Sequence, residues 1–418
     1  MGRGIRQTAT PIASQLDVTN GNVKGSTKRA VLIGSLGWSL VNFRLDLMRR
    51  LQANGFEVLA VAADIDEDTA AQLNSHGIRH RTVPMDRTGT NPLRDLQTLW
   101  ALTALLRREK PDLVISYTMK PNVYGSLAAQ LARVPARFAL FTGLGYAFME
   151  AAPTGRRKKV RDLSILLHRV ALRRLHGAFC YNAADRGDIR RFRLIPDSVP
   201  LHDVPGSGVD TTRFAATPVP KGKIRFLFVG RLLRSKGLQT LGDAAALLRA
   251  QGRDCDIEIL GPADSNPDAI DTATLDDWQA RGLVTWLGET RDVRPFLQRC
   301  SVFVLPTQLR EGIPRSILEA MASGRAVITT DAPGCGEAIQ NGVTGMVVPQ
   351  GDAKALAQTM AQFIDDPSLA DTMGQAARKL ACSTYDVHRV NSILMQHMGV
   401  EHQNADTETP PATAEVAL

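Results

Sequence analysis

The sequence predicts an α/β protein with two doubly wound, Rossmann-like domains that face each other across a cleft. Short apolar runs alternate with amphipathic stretches of roughly 10–15 residues, as in parallel strands joined by covering helices. This alternation stops in the Pro/Gly-rich stretch 199–210 and then begins again. The length of 418 residues also exceeds the usual size of one domain.

The elements follow from the apolar periodicity. In the first half we predict strands over 30–34, 57–62, 113–116 and 136–141, and helices over 40–54, 92–110 and 122–132. In the second half we predict a helix over 237–250 and strands over 224–230, 256–261, 284–288, 302–306, 327–330 and 345–348.

The domain boundaries follow from the same pattern. We expect an N-terminal domain over 29–205 and a C-terminal domain over 206–385. The last helix, in 386–400, is expected to pack back on the first domain. The polar segments 1–28 and 401–418 have little apolar periodicity, so we expect disordered tails there.

The composition excludes several classes of protein. With 44% hydrophobic and 22% charged residues, the chain is not wholly disordered, collagen-like or a coiled coil. No uninterrupted apolar run reaches the roughly 18 residues of a transmembrane helix, and the N-terminus lacks the apolar core of a secretory signal. The five cysteines form no C-x-x-C pair, which favours reduced thiols in the cytoplasm over disulfides or structural zinc.

The net charge of +8 is compatible with a nucleic acid, a membrane surface or an anionic substrate as partner. Aromatic residues make up only 5% of the chain, which disfavours a surface that stacks nucleic-acid bases. We therefore expect no nucleic-acid partner.

Two glycine- or cation-bearing turns follow predicted strands. Gly34 and Gly37 come directly after the first strand, where glycines allow backbone N–H groups to approach a ligand. Arg231 and Lys236 flank the turn after the strand over 224–230. At the carboxyl edge of a parallel sheet such cations face the ligand-binding crevice, where both can bind phosphate oxygens; a solvated basic loop is the alternative.

The strongest motif is the segment 311–324, EGIPRSILEAMASG. Pro314 suits a first helical turn and Gly324 suits a C-terminal cap, so a helix is expected to begin near 314 with its positive dipole end in the crevice. Glu311 precedes this helix and Glu319 lies in its second turn. Two carboxylates beside an anion site suit the vicinal hydroxyls of a sugar and of a ribose. For Glu319, the alternative is a solvent-facing helix residue.

These motifs resemble those of the retaining GT-B glycosyltransferases of family 4. The resemblance rests on G-R-L-x-x-x-K-G from 230 and on the segment from 311 to 335, and it covers about residues 29–395. It is strongest to bacterial enzymes that add N-acetylhexosamine to undecaprenyl-diphosphate-linked sugars. Further matching stretches are Asp86-Arg87, Asn91-Pro92, Lys120-Pro121-Asn122, 141–146 and Leu260-Gly261-Pro262.

The resemblance implies a hexosyltransferase of polysaccharide, capsule or glycan biosynthesis. Its substrates would be a polyprenyl-diphosphate-linked acceptor, bound by the N-terminal domain over 29–205, and a UDP-sugar, bound by the C-terminal domain over 206–385. It would need no cofactor. Arg231 and Lys236 would hold the donor diphosphate, with Glu311 on the transferred sugar as the third catalytic residue. The substrate-binding residues would be Gly34, Gly37, Gly312, Ile313, Pro314, Arg315, Ser316 and Glu319, with Glu319 on the ribose.

One departure from the family bears on the mechanism. Many members carry a histidine after the strand that precedes Thr118, whereas this chain has Tyr117 near that place. We therefore expect no side-chain base there. The D-x-D triplets 64–66 and 254–256 are typical of metal-dependent GT-A enzymes but lie at strand edges of a different fold, so we expect no metal and a leaving diphosphate stabilised by fixed donors.

A strongly basic segment, 156–174, carries eight cations and one acid. Val160, Leu163, Leu166, Leu167 and Val170 recur in it at helical spacing. Such a helix can bind an anionic membrane, which predicts a cytoplasmic protein held peripherally at the inner face of the plasma membrane; a packed helix with a solvated basic face is the alternative. The expected membrane residues are Arg156, Arg157, Lys158, Lys159 and Arg161.

Two other functions stay open at this stage. A nucleotide-sugar epimerase shares the two-domain architecture, although the paired glutamates and the basic helix argue against it. A non-catalytic subunit that binds a nucleotide sugar is the third hypothesis. The intact set Arg231, Lys236, Glu311 and Glu319 argues against an inactive copy.

Overall fold

The computed structural model describes residues 27–86, 91–145, 148, 154–264 and 266–400. Most of the two terminal segments expected to be tails lie outside the described residues, as do Arg87 and Tyr146. The statements below concern the described residues.

The N-terminal domain is built on a seven-stranded parallel sheet in the order β3-β2-β1-β4-β5-β6-β7. β1 lies at its centre, where Val31 pairs with Leu59 on one side and Val114 on the other. The strands are β1 (Lys28–Ile33), β2 (Phe56–Ala62), β3 (Arg79–Thr82), β4 (Leu113–Tyr117), β5 (Ala136–Phe141), β6 (Gly177–Cys180) and β7 (Leu201–Asp203).

Six helices cover this sheet on both faces, and each face has its own buried apolar cluster. The helices are α1 (Gly37–Ala53), α2 (Glu67–Ser75), α3 (Pro92–Glu109), α4 (Met119–Leu131), α5 (Gly155–Ala171) and α6 (Ala183–Arg191). Strand β3 has the sequence RHRT and no buried residue, so apolar periodicity could not reveal it.

The C-terminal domain has a six-stranded parallel sheet in the order β10-β9-β8-β11-β12-β13. Its strands are β8 (Arg225–Val229), β9 (Asp256–Leu260), β10 (Thr285–Trp286), β11 (Val302–Leu305), β12 (Ala326–Thr330) and β13 (Gly345–Val348). Its helices are α7 (Leu238–Ala250), α8 (Thr272–Ala280), α9 (Arg294–Arg299), α10 (Arg315–Ala322), α11 (Ala353–Asp365) and α12 (Ser368–Leu380).

After α12 and a π-helical turn, the chain returns to the N-terminal domain as α13 (Val387–Met398). Val390, Leu394 and Met395 are fully buried in the apolar cluster that also contains Leu40 and Leu47 of α1. The Arg50 guanidinium adds a hydrogen bond of 2.8 Å to the carbonyl of His388. The last helix thus ties the end of the chain to its first domain.

Both domains have the doubly wound, Rossmann-like form that the sequence predicts, and the fold class is confirmed. Every strand named in the sequence analysis is present, with bounds that agree within two residues. In each sheet the strand order reverses beside the first strand, at β1 and at β8. Loops at the carboxyl ends of such neighbouring strands form the crevice in this class of fold.

Candidate active site

Lys236 and Glu311 form an ion pair between the loops that follow β8 and β11. The Lys236 Nζ lies 2.8 Å from both Oε1 and Oε2 of Glu311. Lys236 ends a single 3₁₀ turn, Arg234–Lys236, whose cap Gly237 has a φ of +81°. The two side chains are 16% and 19% exposed, so the pair is largely shielded from water yet still open to a ligand.

Arg231 lies at the same sheet edge but has a different acidic partner. Its Nη1 is 3.1 Å from Oδ2 of Asp264, and its side chain is 54% exposed. Both predicted diphosphate-binding cations therefore carry a carboxylate partner. An anionic ligand at this edge has to compete with Glu311 and Asp264 for them.

Helix α10 begins where the sequence predicts it. Pro314 is its N-cap and no side chain caps this end, so the first backbone N–H groups remain available to a ligand or water. Gly324 follows the helix with a φ of +75°, in the left-handed region that favours glycine.

Glu319 lies in α10 between fully buried neighbours, Leu318 and Ala320, and its own side chain is only 18% exposed. Its Oε1 lies 3.2 Å from Nε of Arg315, one turn earlier. Burial raises the pKa of the Glu319 carboxyl, and the Arg315 guanidinium opposes that rise. Glu319 is therefore not a solvent-facing helix residue.

Arg315 links α10 to the segment between the domains and to the N-terminal domain. Its Nη1 donates a hydrogen bond of 2.7 Å to the carbonyl of Gly208, in the segment that joins the two domains. Its guanidinium also lies 5.7 Å from the ring centroid of Phe43 in α1. Among the other predicted residues, Ile313 packs against the apolar clusters of both domains, Pro314 is buried and Ser316 is half-buried.

Gly34, which follows β1, and Gly37, the first residue of α1, both have packing roles. A Cβ on Gly34 would collide with the Tyr117 side chain, and one on Gly37 would collide with the carbonyl of Asp64. The Gly37 N–H also donates a hydrogen bond of 2.9 Å to Oδ1 of Asp64. The absence of side chains here lets the loop pack on the ends of β2 and β4.

Tyr117 lies beneath this loop and is 1% exposed. Its hydroxyl is 2.8 Å from Oγ of Ser39, and burial raises its pKa to about 12. The Arg44 guanidinium lies 4.9 Å from its ring centroid and donates a hydrogen bond of 2.5 Å to the Tyr181 hydroxyl. Tyr117 is therefore a buried, protonated phenol held among polar neighbours.

Polar residues at the start of α6 bind the segment that carries Glu311. The Asn182 amide donates hydrogen bonds of 3.0 Å to the carbonyls of Glu311 and Gly312. Arg310 Nε lies 2.8 Å from Oδ1 of Asp185, and its Nη1 also contacts Asp188. We call these contacts the α6 latch.

The α6 latch is largely buried, since the side chains of Asp185 and Arg310 are 0% and 11% exposed. Burial raises the pKa of the Asp185 carboxyl, whereas Arg310 opposes the rise. Gly312 completes the junction, because a Cβ there would lie 2.6 Å from the carbonyl of Thr142. This latch was not predicted from the sequence. Two signals for it were available in the sequence: the short apolar run 177–181 indicates a strand, and Asn182 after it indicates a helix cap.

The D-x-D aspartates have local structural partners. Asp66 caps α2 by accepting from the Thr69 N–H at 2.8 Å. Asp254 and Asp256 lie 2.6 and 2.9 Å from Nζ of Lys223. Among the described residues there is no group of three or more His, Cys, Asp or Glu arranged to hold a metal ion.

The basic segment forms α5 together with the turn after it. Lys158 pairs with Asp162 at 2.6 Å, and the Arg161 guanidinium lies 5.4 Å from the ring centroid of Phe192. Arg157, Lys158 and Lys159 are exposed, while the side chain of Arg156 lies outside the described part. No helix in the described ranges is both long enough and apolar enough to cross a membrane.

Two family models match the chain, one in each domain. Residues 41–206 match the glycosyl transferase 4-like domain, and residues 223–366 match the domain of glycosyl transferases group 1. Among curated relatives, the N,N'-diacetylbacillosaminyl-diphospho-undecaprenol alpha-1,3-N-acetylgalactosaminyltransferase of Campylobacter jejuni is 27% identical, over 82% of this chain and 90% of its own length.

A second relative is the Escherichia coli UDP-Gal:alpha-D-GlcNAc-diphosphoundecaprenol alpha-1,3-galactosyltransferase, which is 26% identical over 72% of this chain and 79% of its own length. Among solved structures, Anabaena HepE with UDP and glucose has a TM-score of 0.71 at 18% identity, covering 90% of this chain and all of HepE. Sucrose-phosphate synthase from Thermosynechococcus elongatus has a TM-score of 0.72 at 18% identity, covering 88% of this chain and 98% of its own.

The two family models match consecutive parts of the chain, and the solved structures share its two-domain fold. The chain has the GT-B fold and consists of a glycosyl transferase 4-like domain followed by a group 1 glycosyl transferase domain.

Proposed function

We propose that this glycosyltransferase moves a sugar, an N-acetylhexosamine, from a UDP-sugar to a lipid-diphosphate-linked glycan in bacterial polysaccharide, capsule or glycan assembly. The observation that carries the proposal is the shielded Lys236–Glu311 ion pair in the crevice, since it offers a cation and a carboxylate together. The relatives whose names specify undecaprenyl-diphosphate substrates support the acceptor. The structural likeness to HepE, solved with UDP, is compatible with the donor.

In this proposal, Lys236 and Arg231 stabilise the departing diphosphate and the N-terminus of α10 adds backbone donors. When a donor binds, its phosphate oxygens compete with Glu311 for the Lys236 ammonium. Glu311 is then released to accept hydrogen bonds from the hydroxyls of the transferred sugar. Glu319 accepts from the ribose hydroxyls, with Arg315 holding its orientation.

We further propose that transfer proceeds on one face of the sugar with retention of configuration. The bond from the anomeric carbon to the UDP β-phosphate oxygen breaks, and a bond to the acceptor oxygen forms. The acceptor proton passes to the departing phosphate oxygen. The burial of Tyr117 supports this route, because its raised pKa leaves it protonated and unsuited to act as a base.

The stereochemistry and the cation requirement are directly measurable. We expect NMR of the product to show the same anomeric configuration as the donor, and a β-linkage from an α-donor would refute retention. We also expect transfer to continue in EDTA, because the leaving group is stabilised by protein donors. Activity abolished by chelation and restored by Mn²⁺ would refute metal independence.

A lipid-linked acceptor requires access to a membrane, and we propose peripheral contact at the inner face of the plasma membrane through α5. The exposed cations of this helix, including Lys158 and Lys159, support binding to anionic lipid. We expect the Arg156/Arg157/Lys158/Lys159→Glu variant to lose sedimentation with anionic vesicles. Unchanged binding would refute this contact.

A panel of UDP-sugars and polyprenyl-diphosphate-sugar acceptors, analysed by mass spectrometry, tests the reaction as a whole. One donor–acceptor pair is expected to give a product heavier than the acceptor by one N-acetylhexosamine residue. Interconversion of UDP-sugars without acceptor would favour an epimerase instead. Binding of UDP-sugar without any turnover across the panel would favour a non-catalytic subunit.

A further inference from the structure

The exposed apolar side chains of the described residues are concentrated on one side of the N-terminal domain. Of the ten large hydrophobic side chains that are exposed, seven lie on α3, α4 and α5. The three most exposed all lie on α3: Leu93 at 79%, Trp100 at 73% and Leu96 at 63%. Exposed apolar side chains that are concentrated in one region mark an interaction site more often than scattered single residues do.

These three residues follow the spacing i, i+3 and i+7, so they share one face of α3. The opposite face carries Thr98, Leu102 and Leu106, which are at most 1% exposed. Both faces of α3 are therefore apolar, although only one of them packs against the sheet. The exposed face is the apolar stripe of α3.

Helix α5 has a second stripe with the same spacing. Leu163, Leu166 and Val170 are 45%, 58% and 44% exposed, while His168 on the inner side is buried. Helix α4 packs between α3 and α5, so the three helices form one layer on one face of the sheet. Both stripes point away from that sheet.

The charge around the stripes identifies the partner. Segment 156–174 carries eight cations and one acid, and Arg107 and Arg108 stand at the end of α3. Basic residues near apolar side chains that include a tryptophan are typical of surfaces that bind anionic lipid. A tryptophan is also well suited to the interface between headgroups and acyl chains.

The orientation of the layer connects it to the cleft. A helix that joins two parallel strands runs antiparallel to them, so α3 and α5 begin at the carboxyl edge of the sheet, beside the crevice. Leu93 and Leu96 lie in the first turns of α3, and Lys158 lies in the first turn of α5. A bilayer held against this layer would border the mouth of the cleft.

We propose that the apolar stripe of α3, Leu93, Leu96 and Trp100, inserts into the headgroup region of an anionic membrane beside the basic helix α5. Insertion holds the cleft mouth at the bilayer surface, where a lipid-linked acceptor can reach it. This last consequence rests on the proposed function, whereas insertion itself does not.

The test uses the full chain and vesicles of phosphatidylcholine with or without phosphatidylglycerol. We expect the Leu93→Ser/Leu96→Ser/Trp100→Ser variant to bind the anionic vesicles at least tenfold more weakly than the wild type. The matched control, Leu247→Ser/Val343→Ser, removes exposed apolar side chains from the C-terminal domain and should bind within twofold of the wild type. Equal binding by the triple variant and the wild type would overturn the proposal.

Insertion depth provides a second readout that does not depend on folding of the triple variant. Lipids brominated on the acyl chains should quench wild-type tryptophan fluorescence, and Trp100→Phe should remove most of that quenching although three other tryptophans remain. Quenching unchanged in Trp100→Phe would also overturn insertion. A third result would overturn insertion as well: the wild type is a dimer, the triple variant is a monomer, and both bind vesicles equally. The stripe would then bind a second copy of the chain.

Transfer assays separate this inference from the proposed function. The triple variant should transfer sugar to a short-chain, water-soluble diphosphate-linked acceptor at the wild-type rate. Its rate with the long-chain acceptor in vesicles should be at least tenfold lower than that of the wild type. No transfer by the wild type to either acceptor would refute the function but leave the vesicle-binding result intact. Equal loss with both acceptors would overturn the role of the stripe in access to the acceptor.

Discussion

The ammonium group of Lys236 lies 2.8 Å from both carboxylate oxygens of Glu311, although 75 residues separate them in the sequence. This bidentate contact joins the turn after β8 to the loop after β11. It makes two of the predicted catalytic residues a single electrostatic unit, so a phosphate that binds Lys236 has to compete with Glu311 for the ammonium group.

Lys236→Ala should therefore lower transfer by about 100-fold or more, as when a fixed donor to a developing anion is removed. Glu311→Ala should also lower it by about 100-fold or more, because the carboxylate that positions the transferred sugar is lost. Turnover of saturating donor and acceptor measures this, with circular dichroism to show that the fold is kept. Lys223→Ala is the matched control, because Lys223 pairs with Asp254 and Asp256 at the start of the strands, and it should stay near wild type. Near-normal turnover with either variant would refute the assignment of that residue to the catalytic site.

Arg310→Ala should destabilise the protein by about 3–5 kcal/mol, because it leaves the fully buried Asp185 without its cation. Urea denaturation measures the loss. Arg281→Ala removes an exposed pair with Asp277 and should cost less than about 1 kcal/mol. A similar small loss in both variants would contradict the structural importance of the α6 latch.

Gly37→Ala should reduce both stability and transfer, because the new Cβ meets the carbonyl of Asp64, which cannot rotate away. Gly187→Ala is the control, since a Cβ in that helix has no heavy atom within 4 Å. It should stabilise the protein by about 0.5–1 kcal/mol through helix propensity. Thermal unfolding measures the stability of both variants. Wild-type stability in Gly37→Ala would show that the backbone at Asp64 can move to accommodate the Cβ.

Glu319→Gln should weaken binding of UDP by about 10- to 100-fold, if a charged acceptor for the ribose hydroxyls is lost. Calorimetry with UDP and with 2′,3′-dideoxy-UDP tests the cause. The wild type should discriminate strongly between the two ligands, and Glu319→Gln should discriminate little. Equal discrimination by both proteins would place the ribose elsewhere.

The buried His168 predicts an acid-sensitive fold. It is 1% exposed, and burial lowers its pKa from 6.5 to about 4. Between these values the unfolded chain takes up a proton that the folded protein does not, so the free energy of unfolding falls as pH falls. At about 1.4 kcal/mol for each pH unit, one such group contributes a loss of about 3 kcal/mol over this range.

His168→Leu should keep the apolar packing of this site and remove that dependence. Urea denaturation from pH 7 to pH 4 should show a shallower decline for the variant than for the wild type. Other histidines with lowered pKa, such as His202, titrate in both proteins, so the difference isolates His168. Parallel curves would mean that His168 is not responsible.

Local patterns in the sequence were sufficient for the fold class and for α10. Apolar runs marked the buried strands, and Pro314 with Gly324 marked the two ends of the helix, because these signals depend on neighbouring residues alone. The polar edge strand β3 was not predicted, because its residues bury little apolar surface and so give no apolar run to detect.

The sequence by itself determined two parallel-sheet domains, the order of their strands along the chain, and the residue types at each strand end. Only the tertiary structure decided which of those residues meet. It paired Lys236 with Glu311, placed Tyr117 beneath Gly34, and brought Asn182 and Asp185 of one domain onto the Arg310–Gly312 segment of the other. The physical reason is that periodicity and capping depend on nearest neighbours, whereas these contacts depend on how two sheets are oriented across a cleft.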